Sequence, residues 1–516
     1  MTPIAGGCGV REHWIADDFD GVSLNMYDPV SEVWTQIWMD ETRRPWSCIF
    51  REDGTARPWC SRAPTPIDPP NTRIAGVSLM SRTVTAALLF LSCLGSFNTL
   101  RAQDQISPQQ ILDARNHAYE QLGTRGYLDA VMSLLELEER AIESDVLRSF
   151  YYDILATQMS FIGEERRAVQ LSDTAYPEHA RELDLDRARM LIEDHRPIPA
   201  IDAIIEMAQN HRIVMINEEH RSSLQRAFAN QLLKPLREIG FTHLAIETLG
   251  EDAELLHDRG YPVLSSGTYL HDPALGDLVR RALALGFTLV PYEADPTVMT
   301  PQESDKTPLD AENRRERAQA ENIFERTLNK DPNSRVLVYA GRDHLAEYGG
   351  EDWIPMGRVL KEISGTDPLT INQYAMVERS KREFESWEFR AVEREGWLDG
   401  PPIVLKSKTG VVWSSDPRAI DMNVFHPRTV LQLGRPVWMS MGGLRQPYMF
   451  ISPLSGEPIL VQAVVVGESD DAIPLDQTVL WPGESTAALF LRDGEYRVMM
   501  FNRAGKELSS KHVTIK

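Results

Sequence analysis

Between residues 200 and 375, short apolar runs alternate with segments of helical period, and few folds accommodate that alternation. The runs are Ile213–Ile216, Leu244–Ile246, Thr288–Tyr292 and Val336–Tyr339. Between them, Ser223–Ile239 brings Leu224, Phe228, Leu232, Leu233 and Leu236 to one face, and Leu278–Leu285 and Glu312–Asn329 keep the same period. Strands separated by helices pair in parallel, because a parallel partner needs a crossover. The expectation is an α/β domain over 199–380, with a central parallel-rich sheet and flanking helices.

The flanks read differently. Residues 103–198 carry apolar faces at Ile111, Ala114, Ala118 and Leu122, then Leu128 to Leu137, then Val146 to Ile162, which predicts helical hairpins. Residues 385–516 return to strand patterns, among them Val430–Leu433, Ile459–Val466, Thr486–Leu491 and Tyr496–Asn502, with glycines at the turns. This predicts a β-sandwich. The chain has 516 residues, 42% of them hydrophobic and 25% charged, which excludes a disordered chain and a multi-span membrane protein. A net charge of −22 repels phosphate, so no nucleic-acid partner is expected and a small-molecule or peptide substrate is.

Four cysteines, Cys8, Cys48, Cys60 and Cys93, fit no zinc knuckle. From Met80 the chain reads as a secretory signal peptide at 80–102. Arg82 supplies the positive start, Val84–Phe97 the apolar stretch and Leu100-Arg101-Ala102 the cleavage site before Gln103. A start at Met80 is therefore expected. Residues 1–79, a tryptophan-rich β fragment with strands on either side of Asp28-Pro29, would then come from an over-extended reading frame, untranslated, or from an upstream fusion. The mature protein would be periplasmic or extracellular, with no transmembrane span after cleavage.

In open parallel sheets, ligands bind beyond the carboxyl ends of the strands. Each of the four runs is followed there by ionisable groups: Glu218 and His220, Glu247, Glu293, and Arg342 to His344. Carboxylates and imidazoles crowded at one edge suit acid–base chemistry. Glu218, His220, Glu247 and His344 equally make a candidate set for a divalent metal. No HExxH, GxSxG, GxGxxG or Walker loop is present. His243 reads as packing and His271 as solvated. Asp343 neighbours His344, but adjacent side chains point apart.

The run Ile216–Leu249 (INEEHRSSLQRAFANQLLKPLREIGFTHLAIETL) resembles the opening of the superfamily that joins erythromycin-esterase-like, ChaN-like haem-binding and Tiki/TraB proteins. Glu218 and His220 take its ExH positions, and Glu247 its strand-end Glu. Arg315–Ile323 (RERAQAENI) resembles the helix R[DE]xxMAxNI, matching at Arg315, Glu316, Ala320 and Asn322. Leu337–Gly350 resembles the late strand with a Gly-x-x-His element, and His344 takes the histidine. Asn217 stands where the superfamily has Gly, and is expected to hold a tight turn there, since Asn tolerates unusual backbone angles.

The resemblance implies a hydrolase acting on an ester or amide, with His220 as general base and Glu247 orienting it or sharing the proton. Glu218 and His344 would polarise the carbonyl or complete a relay, Glu293, Asn322 and Tyr269 would contact substrate, and Arg315 would pair with a substrate carboxylate or with Glu247. For a ChaN-like protein it implies haem or ligand binding without catalysis, with Tyr269 able to ligate iron. A catalytically silent domain would instead keep the strand-end carboxylates apart or have them blocked by side chains.

Overall fold

The computed structural model describes five N-terminal strands and residues 106–516, apart from 139–141, 143, 177–184, 251–252, 303, 308, 351 and 454–455. The chain divides into two compact units. The N-terminal unit carries an antiparallel meander of Thr2–Pro3, Gly9–Ala16, Phe19–Asp28, Val33–Met39 and Pro45–Arg51. Its third and fourth strands are the two expected on either side of Asp28-Pro29. The expected signal segment at 80–102 lies outside the described residues.

The second unit is built on an eight-stranded sheet. In chain order its strands are β1 (His195–Pro199), β2 (Ile213–Glu218), β3 (His243–Ile246), β4 (Thr288–Pro291), β5 (Val336–Gly341), β6 (Leu369–Met376), β7 (Ile403–Ser407) and β8 (Met422–Phe425). Their spatial order is β1-β7-β8-β6-β2-β5-β3-β4, and all but β7 run in one direction. The mixed α/β class expected from the alternation is the class observed. Among the described residues, no helix is long and apolar enough to cross a membrane.

β2 shows how the sheet is buried on both faces. Val214 and Ile216 pack against the apolar sides of α1 (Ser223–Glu238) and α2 (Pro273–Ala284). Ile213 and Met215 pack against α3 (Leu309–Arg326) and α4 (Met356–Ser364). Strand side chains alternate, so parity decides where a polar strand end points. Glu218 continues the side of Val214 and Ile216, toward α1. Glu247 continues the side of Ala245, toward α3.

The sheet is wider than the expected 199–380. β7 and β8 join it, although their apolar runs lie in the segment expected to belong to the β-sandwich or to its linker. A four-residue strand carries no mark of which sheet it enters, and an antiparallel neighbour comes from far along the chain. Before the sheet, helices Pro108–Leu122, Tyr127–Glu138, Asp145–Phe161 and Glu165–Ala175 form the expected helical segment. After it, a four-stranded and a two-stranded antiparallel sheet share a core containing Val461, Ala463, Leu489, Leu491 and Val498.

A buried charge fastens this C-terminal β portion to α2. Asp277 accepts from Arg445 Nε at 3.0 Å and from Arg492 Nη2 at 2.7 Å. Burial pushes its carboxyl up, but the two guanidinia outweigh that and hold it below its ordinary value. A Cβ at Gly276 would lie 2.9 Å from Ile473 Cγ2, so this helical glycine lets the β portion come close. Asp277→Ala leaves a buried guanidinium unpaired and should cost about 3–5 kcal/mol in chemical denaturation. An unchanged midpoint would show that the fastening lies elsewhere.

Candidate active site

β2, β5 and β3 are neighbours, and their carboxyl ends bring together the four groups singled out in the sequence. Glu218 closes β2. Arg226, on the first turns of α1, is fully buried and grips it as a fork: Nε donates to Oε2 at 2.8 Å and Nη2 to Oε1 at 2.7 Å. Arg226 Nη1 lies 2.8 Å from Asp272 Oδ2. Asp272 caps α2, accepting from the Ala274 N–H at 2.7 Å. Burial raises the Glu218 carboxyl, but Arg226 and His220 outweigh it and hold it at about 2.

His220 is oriented on three sides. Its Nδ1 is 3.0 Å from Glu218 Oε1. Its ring stacks on Tyr269, with 4.0 Å between centroids and 12° between planes. Its remaining edge faces Gly341: a Cβ there would lie 3.1 Å from His220 Nε2 and 3.1 Å from Glu247 Oε2. A glycine here spares both groups a tight contact. The His220 side chain stays 31% exposed. Tyr269 is set by its neighbours, since its N–H donates to Thr248 Oγ1 at 2.9 Å. A Cβ at Gly267, whose φ is +153°, would collide with the Thr248 carbonyl oxygen at 2.0 Å.

Glu247 lies just past β3 and receives donors on both oxygens. Oε2 accepts from the Gly341 N–H at 2.7 Å, and Oε1 accepts from Arg315 Nη2 at 3.0 Å. Oε1 is also 3.5 Å from His344 Nε2. Burial raises this carboxyl, but His344, His220, Arg315 and the Gly341 N–H outweigh it and hold it at about 2. His344 Nδ1 lies 2.6 Å from Glu316 Oε1, and Glu316 Oε2 accepts from the Met356 N–H at 2.6 Å at the start of α4. Burial lowers the His344 imidazole, but Glu316 and Glu247 outweigh it and raise it to about 9. His344 is therefore an imidazolium at neutral pH.

The other expected residues take supporting places. Arg315 donates to both oxygens of Glu293, Nε to Oε1 at 3.0 Å and Nη2 to Oε2 at 2.7 Å, so its guanidinium is spent on two strand-end acids. Gln319 Nε2 adds a bond to Glu293 at 3.0 Å. Asn322 donates to the backbone carbonyls of Tyr292 and Glu293, at 3.1 and 3.2 Å, and so braces the end of β4. Asn217 makes no turn. It lies inside β2, fully buried, donating to the Arg342 carbonyl at 2.6 Å and accepting from the Gln373 N–H at 2.9 Å. The strand simply continues two residues further because β5 runs alongside it as far as Gly341. His271, expected in solvent, is buried beside the Tyr127 hydroxyl at 3.1 Å, and burial pushes it down to about 4.

Sequence reasoning gave no role to Arg226, Glu316, Asp272 and Gly341. One signal was there to read. Arg226 falls at helical spacing with Ala229, Asn230 and Leu233 on the buried side of α1, and an arginine on such a face demands an acid.

The donor set does not suit a divalent cation. Both Glu218 oxygens are taken by Arg226, and Glu247 is held by Arg315 and Gly341. Among the described residues, no group of three or more His, Cys, Asp or Glu side chains could hold a metal ion. Haem fits no better, because its macrocycle needs an apolar slot and the walls here are Glu218, Arg226, Glu247, Arg315 and Glu316. The strand-end acids do not lie apart, although Arg226 and Arg315 occupy oxygens of Glu218 and Glu247.

The raised His344 pKa carries a stability consequence. The ring gains a proton-binding partner on folding, so its contribution is whole below the ordinary value of 6.5 and is lost as pH rises through about 9. In an NMR titration of its ring protons, His344 should titrate near 9, and Glu316→Gln should bring that midpoint down. A midpoint unmoved by Glu316→Gln would assign the shift to another group.

No family model and no curated protein matches the chain. Among solved structures it is similar to the type III effector HopBA1, with TM-score 0.25 and 15% identity over 35% of this chain and 87% of that one. It is similar to RRSP, a MARTX toxin effector domain from Vibrio vulnificus CMCP6, with TM-score 0.24 and 16% identity over 47% of this chain and 54% of that one. It is also similar to the C-terminal region of Pasteurella multocida toxin, with TM-score 0.24 and 10% identity over 70% of this chain and 51% of that one. The chain spans about half the length of the last two. Likenesses of this degree assign the chain no activity.

Proposed function

We propose that this centre hydrolyses an ester or amide by Glu–His acid–base chemistry. One observation carries the reading: Glu247 lies between two imidazoles, each backed by a carboxylate of its own, Glu218 for His220 and Glu316 for His344. The environments divide the labour. His344, already protonated, donates toward the carbonyl oxygen as negative charge develops there. His220, the more exposed ring, takes a proton from water through Nε2 while the water oxygen attacks the carbonyl carbon. Glu218 stabilises the imidazolium that forms. That proton then passes to the departing oxygen or nitrogen as its bond to carbon breaks.

Arg315 and the Gly341 N–H keep Glu247 ionised, and Glu247 in turn keeps the proton on His344. The proposal includes kinship with the erythromycin-esterase-like, ChaN-like and Tiki/TraB superfamily. Its support is that the ExH pair, the strand-end Glu and the Gly-x-x-His histidine, scattered from 218 to 344, occupy one place.

His220→Ala should lower kcat/KM by about 10²–10⁴-fold while leaving Tm nearly unchanged, since the ring is partly exposed. His344→Ala should lose similar activity and also Tm, because Glu316 and Glu247 are left facing each other without their cation. Full turnover in both variants on a substrate that the wild type cleaves would end the proposal. The pH profile of kcat/KM should fall on the alkaline side near 9, as His344 gives up its proton. Glu316→Gln should shift that limb to lower pH.

A further inference from the structure

β2 and β5 pair as far as Glu218 and Gly341, and just beyond them a second charged cluster joins the residues that follow. Arg342 follows Gly341 and donates to Glu219, the residue before His220. Glu219 also accepts from Arg221, and it lies 3.9 Å from Arg379. Two of these three arginines have an acid of their own: Arg221 pairs with Asp153, and Arg379 pairs with Asp173 at 2.6 Å. Arg342 has only its share of Glu219. Asp343, next in the chain, accepts from the Tyr374 hydroxyl at 3.2 Å.

Arg342 is also the cation with an open side. Its side chain is 27% exposed, against 8% for Arg221 and 16% for Arg379. Among the described residues only its Nη2 donates to a partner, so Nε and Nη1 remain available. The guanidinium lies 5.7 Å from the centre of the Tyr176 ring and 5.7 Å from that of Tyr374. Such aromatic neighbours favour a guanidinium, and a planar fork with free donors matches a carboxylate or phosphate. The backbone beneath is fixed as well, because Asn217 bonds the Arg342 carbonyl.

We propose that Arg342 anchors an oxyanion of the substrate, a carboxylate or phosphate, next to the bond cleaved at His220 and His344. The proposal rests on the hydrolytic reading of that centre and names its substrate class: acidic esters or amides. The surrounding chain is strongly acidic, so preference for an anion must come from this local guanidinium and not from net charge.

The full chain is assayed on p-nitrophenyl butyrate and on mono-p-nitrophenyl succinate, which differ in one carboxylate. The acidic ester should have the higher kcat/KM, by about tenfold or more. Arg342→Met should bring the ratio toward one, and Arg342→Lys should keep part of it. A ratio unmoved by Arg342→Met overturns the proposal. If the wild type cleaves neither ester, the hydrolytic reading fails for these substrates and direct binding decides the subsite. Inorganic phosphate and succinate are then titrated calorimetrically into wild type and Arg342→Met. Binding of either anion that is lost in Arg342→Met upholds the subsite, and the tighter anion identifies the group. Equal binding by both proteins, or no binding by the wild type, overturns it.

Discussion

A guanidinium sealed from water lies beneath the candidate active site, and most of the local geometry follows from meeting its charge. An unpaired buried arginine costs several kcal/mol, so Arg226 has to find acids. It finds two, Glu218 at the end of β2 and Asp272 at the start of α2, and it also donates to the His220 carbonyl at 2.8 Å. One side chain thus joins a strand end, a helix cap and the backbone of the proposed base. His220 then needs only Glu218, Tyr269 and the bare Cα of Gly341 to fix its ring.

The two histidines differ because their surroundings differ. His344 is buried between Glu316 and Glu247, and two acids outweigh the desolvation of its charge. His220 has a single carboxylate against Nδ1, whose charge Arg226 already answers, and it keeps an edge toward solvent. Like residues thus stand in unlike fields, which is the division of labour the proposed acid–base reading draws on.

Much of this arrangement was legible in the chain itself. Apolar runs of strand length gave β2, β3, β4 and β5, and the rule that ligands gather at carboxyl ends pointed to Glu218, His220, Glu247 and His344. What stayed hidden depends on partners distant in sequence. Glu316 is 28 residues before His344 and meets it only because α3 crosses that strand end. Asn217 looks like a turn former, yet hydrogen bonding to strands on both sides draws it into the ladder. β7 and β8 escaped because a short apolar run is the same in a sandwich as at the margin of a parallel sheet. Asn322 lies on the helix expected for it, and its bonds to the end of β4 were not legible because their acceptors are backbone carbonyls of another element.

The fastening at Asp277 limits how the molecule can be dissected. Arg445 and Arg492, its two cations, both belong to the C-terminal strands and the turns between them. A fragment ending after β8 would strand a carboxylate inside the protein and bare the surface around Gly276 where Ile473 sits. The eight-stranded sheet and the β portion therefore share a buried charge cluster, and truncation at the apparent border between them would split it.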